Sequence, residues 1–351
     1  MSLRPILSVL FLLPAAAPAQ QPQVRLADNG QWVEVSTPEP GTDAATIADA
    51  RRYIAQDRPN RAISILNKWI KKNKHTTSRH LPEAYLLRGR AKVAAGHEYR
   101  ALYDFEYLIH QYPGAEQFQD AVLEEYRIAL AYLDGLNRKL FGLRITPAER
   151  VGEEAMVLVA ERTPGSQIAE QAIFDLGDYY YFRAVDLESA SVIYGILRDS
   201  YPNSRRKKEA LARQIYANVA QFKGPRYDAS GLIEADVLIG EFARRYPADA
   251  RRAGIDDALR ARIDDSLAAQ MLESARWYAK TGDKIAARFV LQRLERKHAG
   301  TVAAAAGREL AHRVRLALDG PAKPAPEPAD RPQPDPPAGN DPPPVPDWED
   351  R

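Results

Sequence analysis

Cysteine is absent from the 351-residue sequence, which excludes disulfides, zinc–thiolate sites, iron–sulfur clusters and thiol nucleophiles. An excess of charge of one sign is also missing. The 49 lysines and arginines nearly balance 47 aspartates and glutamates, and the net charge is +2. Because dedicated nucleic-acid-binding domains are usually strongly basic, we expect no nucleic-acid partner.

Catalytic and cofactor-binding motifs are missing as well. The sequence contains no G-x-S-x-G, G-x-G-x-x-G, P-loop or H-E-x-x-H pattern, the short motifs of hydrolases, nucleotide-binding proteins and zinc proteases. The six histidines are scattered, and the closest pair, His75 and His80, fits two loop side chains better than a metal site. The sequence therefore predicts a non-enzymatic protein without a catalytic, metal or cofactor-binding site.

Apolar runs of the roughly 20 residues needed to span a bilayer do not occur. An eight-residue apolar run at 6–13 follows Arg4 and precedes the A-x-A sequence of residues 17–19. This arrangement is typical of a secretory signal peptide over residues 1–19, removed before Gln20. No cysteine follows it, so a bacterial lipid anchor is not expected. The protein is predicted to be exported and, at most, peripheral to a membrane.

Two segments flank the body of the chain. Residues 20–41 include alternating apolar positions around Asn29-Gly30, which predict a short β-hairpin. Twelve of the 26 prolines lie in the last 32 residues, together with seven acidic and three basic residues. Because proline lacks a backbone donor and fixes φ, residues 319–351 are predicted to form a disordered, acidic, proline-rich tail.

The body of the chain contains a recurrent helical pattern that can be aligned on six anchor residues: Asn73, Tyr112, Thr163, Tyr201, Tyr246 and His298. Eleven residues before each anchor stands a small residue: Ala62, Ala101, Gly152, Ala190, Ala235 and Ala287. Seven residues before it stands Leu66, Phe105, Met156, Tyr194, Ile239 or Leu291, and four before it Trp69, Leu108, Val159, Leu197, Phe242 or Leu294. These three repeat positions fall on one face of a helix. Each unit therefore contains an amphipathic helix that packs through this face.

The spacing around these helices resembles the tetratricopeptide repeat. The pattern of that repeat is a small residue, a glycine turn, a second small residue, an aromatic residue and a helix-ending proline. One unit matches it with Gly89, Gly96, Ala101, Phe105 and Pro113, the last unit with Gly282 and Ala287, and others with Pro202 and Pro247. Asp178 stands where a small residue is expected, and residues 135–147 and 222–230 are insertions. The resemblance implies an all-α superhelical solenoid of five to six helix pairs over residues 42–318, closed by a capping helix at 301–318.

In a solenoid of this type the first helix of each pair lines a groove. The residues that follow the small position are Arg51, Arg90, Tyr179 and Arg276, and the candidates one turn further on are Phe182, Arg183 and Lys280. Arginines in such a row can hold a peptide carboxylate bidentately. We interpret these residues as a groove for an extended client peptide. The alternative interpretation is that they are solvated or paired with neighbouring carboxylates.

The signal sequence, the Tyr-Pro turns and the segment FKGPRYDASGLIEADVLIGEFARRYP together resemble BamD-like components of the outer-membrane β-barrel assembly machinery. That resemblance implies a periplasmic scaffold at the outer membrane, with the barrel-assembly subunit or unfolded outer-membrane client peptides as partners. The family's lipid-anchored cysteine is missing here. One alternative is a cell-envelope and peptidoglycan coordinator resembling the CpoB family, although no heptads precede the repeats. A third is a cell-wall lytic enzyme, which would need a catalytic domain.

Overall fold

The computed structural model describes residues 24–26, 32–34 and 38–319. Strands β1 (Val24–Leu26) and β2 (Trp32–Glu34) pair antiparallel, with Val24 opposite Glu34. The pairing agrees with the predicted hairpin, whose turn residues Asn29 and Gly30 lie outside the described residues. The predicted signal peptide and residues 320–351 of the predicted tail also lie outside them.

The rest of the described chain is almost entirely helical. Its elements are α1 (Asp43–Ala55), α2 (Pro59–Asn73), α3 (Leu81–Ala94), α4 (Glu98–Gln111), α5 (Phe118–Leu133), β3 (Arg138–Leu140), β4 (Leu143–Thr146), α6 (Glu149–Arg162), α7 (Gln167–Tyr179), a π-helix (Tyr180–Ala184), α8 (Leu187–Ser200), α9 (Lys207–Ala220), α10 (Ser230–Arg245), α11 (Pro247–Ala253), α12 (Asp257–Thr281), α13 (Lys284–His298) and α14 (Val302–Asp319). Strands β3 and β4 form a second hairpin inside the insertion predicted at 135–147.

The described residues divide into two compact units. The first contains residues up to Gln221 together with Glu234–Ile255, and the second contains Phe222–Ile233 together with residues from Asp256 onward. In the first unit each helix from α1 to α9 packs against the next, and the first helices of successive pairs (α1, α3, α5 and α7) also contact one another. In the second unit α12, α13 and α14 pack together. Consecutive pairing with contact between first helices is the packing of tetratricopeptide-like repeats.

The three repeat positions form the core of this packing. Every residue predicted at eleven, seven and four positions before an anchor is buried, and each anchor lies at or next to the end of its helix. Pro113, Pro202 and Pro247 each stand two residues beyond a helix end, and Pro247 is also the first residue of α11. Proline suits a site just past a helix end because it cannot continue the helix, and at Pro247 the first turn of α11 leaves its backbone donors unused. The predicted repeat is confirmed.

Close approach within a pair depends on glycine. A β-carbon on Gly89 would lie 2.3 Å from the Phe105 ring, and one on Gly177 would lie 2.7 Å from the Tyr194 ring. Gly177, not Asp178, is therefore the small position of this pair, and the predicted frame was wrong here by one residue. The cause is the π-helix that follows α7, because a π-turn adds one residue to a helix. Gly177 and Tyr194 are 17 residues apart, whereas Gly89 and Phe105 are 16 apart.

The turn between the two helices of a pair contains a residue with left-handed backbone conformation. This residue stands five positions before the small residue of the second helix. Gly96 and Gly282 occupy it with φ of +71° and +91°, as predicted for a glycine turn. Asp57 and Val185 occupy the same position in other pairs, each with φ of +53°. For a β-branched side chain this conformation is strained.

Replacing Val185 with glycine is expected to stabilise the first unit by about 0.5–1 kcal/mol, because it removes left-handed strain of about 1–2 kcal/mol at some cost in chain entropy. The Val185 side chain is exposed, so little packing is lost. Urea denaturation would measure the gain. Val185→Ala is the control, since alanine keeps the β-carbon that causes the strain, and an equal gain from alanine would contradict the explanation.

Candidate functional site

The predicted groove residues lie on first helices in both units. Arg51 and Arg90 are on α1 and α3, Tyr179 ends α7, and Phe182 and Arg183 are in the π-helix. Arg276 and Lys280 are on α12, in the second unit. Because the frame around Asp178 shifts by one residue, Tyr179 is not the equivalent of Arg51 and Arg90. Asp178 follows the small residue of this pair and is therefore their equivalent.

The arginines of the first unit are paired with carboxylates from neighbouring elements. Arg51 pairs with Glu83 of α3. The Nε of Arg90 lies 2.9 Å from Glu124 Oε1 of α5, and its Nη2 lies 3.1 Å from Asp120. These ion pairs link successive first helices, which agrees with the alternative interpretation of the row. Exposed pairs of this kind contribute roughly 0–1 kcal/mol, so a peptide carboxylate can compete for Arg51 at small cost.

The remaining cations are less constrained. Arg183 Nη2 lies 3.1 Å from Asp134 at the end of α5. In the second unit Arg276 Nη1 lies 2.6 Å from Glu273, one helical turn away. Lys280 is exposed. Each of these side chains lies at the surface of its own unit. All three were predicted as groove residues, and none of them is part of an enclosed site.

The aromatic candidate Phe182 belongs to a cluster that the sequence did not reveal. Phe182 is 59% exposed, and the Cζ atom of Arg213 lies 5.2 Å from its ring centroid. The same guanidinium lies 4.9 Å from the centroid of buried Phe174 and donates to Asp178. Asp178 also accepts from the hydroxyl of Tyr194 at 2.7 Å. Cation–π contact and an ion pair together fix Arg213.

Tyr179 takes no part in this cluster. Its ring is half-buried, 5.5 Å from the ring of Tyr180. Burial and the neighbouring carboxylate of Glu153 raise the pKa of Tyr179. The only sequence signal for the Arg213 cluster was Asp178, which stood out as a charged residue at a position expected to be small.

Exposed apolar side chains recur on the second helices, on the side opposite to the core. Nine residues before the anchor, a position that faces away from the partner helix, stand Tyr103, Val192, Val237 and Phe289, each 57–66% exposed. Ile196 and Ile285, one turn away from Val192 and Phe289, are exposed as well. We call Tyr103, Val192, Ile196 and Val237 the outer stripe of the first unit; Ile285 and Phe289 belong to the second unit. In α2 and α6 the same position is polar and exposed (Ser64 and Glu154), so the apolar residue recurs in four of the six helices.

Within residues 38–318, no group of three or more His, Asp or Glu side chains is placed to hold a metal ion. None of the helices described combines the length and the apolar composition that crossing a membrane requires.

Comparisons with known proteins find likenesses among solved structures. No protein-family model and no curated protein matches the chain. A crystal structure of the C-terminal part of a TPR repeat-containing protein from Cytophaga hutchinsonii is similar to it with a TM-score of 0.37 and 12% sequence identity. The match covers 77% of this chain and 88% of that chain.

Proposed function

We propose that this chain is a non-enzymatic scaffold that binds protein partners through the outer stripe. The observation that carries this proposal is the recurrence of exposed apolar side chains at one repeat position, on the helix face where solvent exposure favours polar residues. The centres of protein contact surfaces are more apolar than the rest of the surface, and aromatic side chains are enriched there. The outer stripe supplies Tyr103, Val192, Ile196 and Val237 for such a contact.

The row of first helices supplies a second binding surface of different chemistry. Its arginines are already paired within the fold, so a peptide that binds there exchanges one carboxylate partner for another. Phe182, exposed beside Arg213, offers an apolar contact next to this row. This surface suits an extended client peptide with acidic groups, whereas the outer stripe suits a folded partner.

For the biological setting we propose an exported protein at the periplasmic face of the outer membrane, acting in outer-membrane protein assembly as BamD-like factors do. The signal-like sequence of residues 1–19 and the Tyr-Pro turns support this assignment. The alternative is a cell-envelope coordinator resembling the CpoB family. Copurification with a barrel-assembly subunit would favour the first role, and binding to peptidoglycan sacculi would favour the second.

The scaffold proposal predicts site-specific crosslinking. A photo-reactive amino acid at Val192 is expected to capture a partner in cells that produce the full chain, because the position is exposed and apolar. Ser64 is the matched control: it occupies the same repeat position of α2 and is exposed but polar. The captured partner would then be identified.

Two variants separate the candidate surfaces. Val192→Asp with Ile196→Asp is expected to reduce recovery of the partner at least tenfold, since a buried carboxylate opposes apolar contact. Reversing Arg51, Arg90 and Arg276 to glutamate is expected to leave it unchanged. Loss of the partner only in the charge-reversed protein would move the contact to the first helices. Equal capture from Val192 and Ser64 would contradict the outer stripe.

A further inference from the structure

The hairpin of β3 and β4 projects from the helices between α5 and α6. Its strands are joined by a two-residue turn, Phe141-Gly142, flanked by the cross-strand pair Leu140 and Leu143. Phe141 and Gly142 both have positive φ, +50° and +86°. Two consecutive left-handed residues define a type I′ turn, for which Asn-Gly is the preferred sequence. Phenylalanine is therefore an unfavourable residue at this point of the turn.

Cations attach this hairpin to the helices, and its tip exposes apolar side chains. Arg144 Nη2 lies 2.6 Å from Glu98, and Arg138 lies over the Tyr99 ring, 3.4 Å from its centroid. The exposed apolar side chains of the tip and the strands are Leu140, Phe141, Leu143 and Ile145. Phe141 is 95% exposed. A strained turn that keeps a phenyl ring in solvent indicates a function for that ring.

A basic cleft of about 420 Å³ lies directly beside the tip. Its lining includes His97, Tyr99, Arg100, Arg138 and Lys139. The one carboxylate in the lining, Glu98, is paired with Arg144. Tyr132, whose buried hydroxyl has no hydrogen-bond partner within the described chain, is also in the lining. Residues 135–148 contain three cations and no carboxylate.

We propose that this hairpin docks on an anionic lipid bilayer, with the Phe141 tip in the interfacial region and headgroup phosphates in the basic cleft. Aromatic and aliphatic side chains beside lysine and arginine match the layered chemistry of a bilayer interface, in which apolar and anionic regions adjoin. A negatively charged membrane surface attracts cations near it. The proposal uses residues outside the outer stripe and the row of first helices, and it stands independently of the protein-binding role.

Phe141→Asn tests the proposal without endangering the fold. The substitution creates the preferred Asn-Gly turn, so the melting temperature is expected to rise while the apolar tip is lost. The full chain would be sedimented with vesicles of phosphatidylcholine alone or mixed with phosphatidylglycerol. We expect the unaltered protein to prefer the anionic vesicles, and Phe141→Asn to weaken that binding by about tenfold or more, given the usual effect of losing one buried phenyl ring.

Val185→Asn is the matched control, because Val185 is also an exposed apolar residue with positive φ but stands in a helix turn outside the hairpin. It should stabilise the protein and leave vesicle binding unchanged. Arg100→Glu should weaken binding to anionic vesicles and leave the weaker binding to phosphatidylcholine unchanged, and added salt should act in the same direction.

Several results would overturn the lipid assignment. One is that the unaltered chain binds neither kind of vesicle. Another is that Phe141→Asn binds vesicles as well as the unaltered chain does, and a third is that Phe141→Asn and Val185→Asn lose equal amounts of vesicle binding. Loss of a crosslinked protein partner in Phe141→Asn with vesicle binding retained would show that the tip docks on a protein instead. Because the outer stripe is unaltered in all these variants, failure here leaves the Val192 crosslinking experiment a separate test.

Discussion

Replacing Gly89 with alanine is expected to destabilise the first unit by about 3 kcal/mol, the upper part of the usual range for overpacking a core. An added β-carbon would lie 2.3 to 2.9 Å from three atoms of the Phe105 ring. Phe105 is fully buried, so its ring cannot turn away without displacing neighbouring side chains. Urea denaturation followed by circular dichroism would measure the loss.

Gly240→Ala is the control for this substitution. Gly240 is also helical, but an added β-carbon there meets only the flexible end of Arg244, at 3.7 Å. Alanine is favoured over glycine in an open helical position by about 1 kcal/mol, so Gly240→Ala should stabilise the protein. Combining Gly89→Ala with Phe105→Leu should cost less than the sum of the two single changes, because the smaller side chain relieves the overlap. Strict additivity would contradict the proposed contact.

The second large effect concerns a buried carboxylate on α5. Glu125 is 2% exposed, and Arg162 at the end of α6 pairs with it and with Glu106 of α4. One guanidinium thus serves two carboxylates, and the Oε1 atom of Glu125 has no hydrogen-bond partner within residues 38–318. Burial raises the pKa of Glu125 to about 8, Glu106 adds to the rise, and Arg162 opposes it.

This raised pKa predicts that stability falls as pH rises from about 4.5 to about 8. In that window the folded protein keeps a proton on Glu125 that the unfolded chain releases, so higher pH favours unfolding. Glu125→Gln cannot ionise and should remove this contribution. The variant should therefore become more stable than the unaltered protein at pH 8, by about 4 kcal/mol, and approach it near pH 4.5. Identical pH profiles of the two proteins in urea denaturation would refute the assignment.

Removing the cation should have the opposite effect. Arg162→Met is expected to be most destabilising above pH 8, where the unaltered protein holds Glu125 ionised against Arg162 and the variant has no cation to do so. The cost should be smaller at pH 5, where Glu125 is protonated in the folded state. A pH-independent loss would show that Arg162 acts through packing of its aliphatic stem and not through its charge.

The repeat was predictable from the sequence because its signal is local and periodic. The buried positions at eleven, seven and four residues before an anchor recur in six helices, and turn glycines such as Gly96 and Gly282 occur where the backbone needs positive φ. The pair α7–α8 was predictable only in part. A π-helix has no distinct sequence signature, so the register predicted around Asp178 was wrong. The close approach of Gly177 to Tyr194 in the structure corrects it.

The candidate surfaces were less predictable than the fold. The row of arginines was visible in the sequence, but whether Arg51 and Arg90 are open or paired depends on carboxylates 32 and 34 residues away. The residues of the outer stripe, in contrast, did not stand out in the sequence. Val192 and Val237 are ordinary apolar residues in the sequence, and only their position opposite to the core makes them notable.

Cysteine-free composition and helical periodicity together determined, without any structure, that this chain is an all-α repeat protein with no thiol chemistry. Both conclusions depend on residue identity and short-range spacing, which the linear sequence contains. The tertiary structure alone decided which charges neutralise one another, which apolar side chains remain in solvent, and that the insertion before α6 is a hairpin with Phe141 at its tip. Those properties depend on contacts between residues distant in the chain, and their free energies are set by burial that no local pattern records.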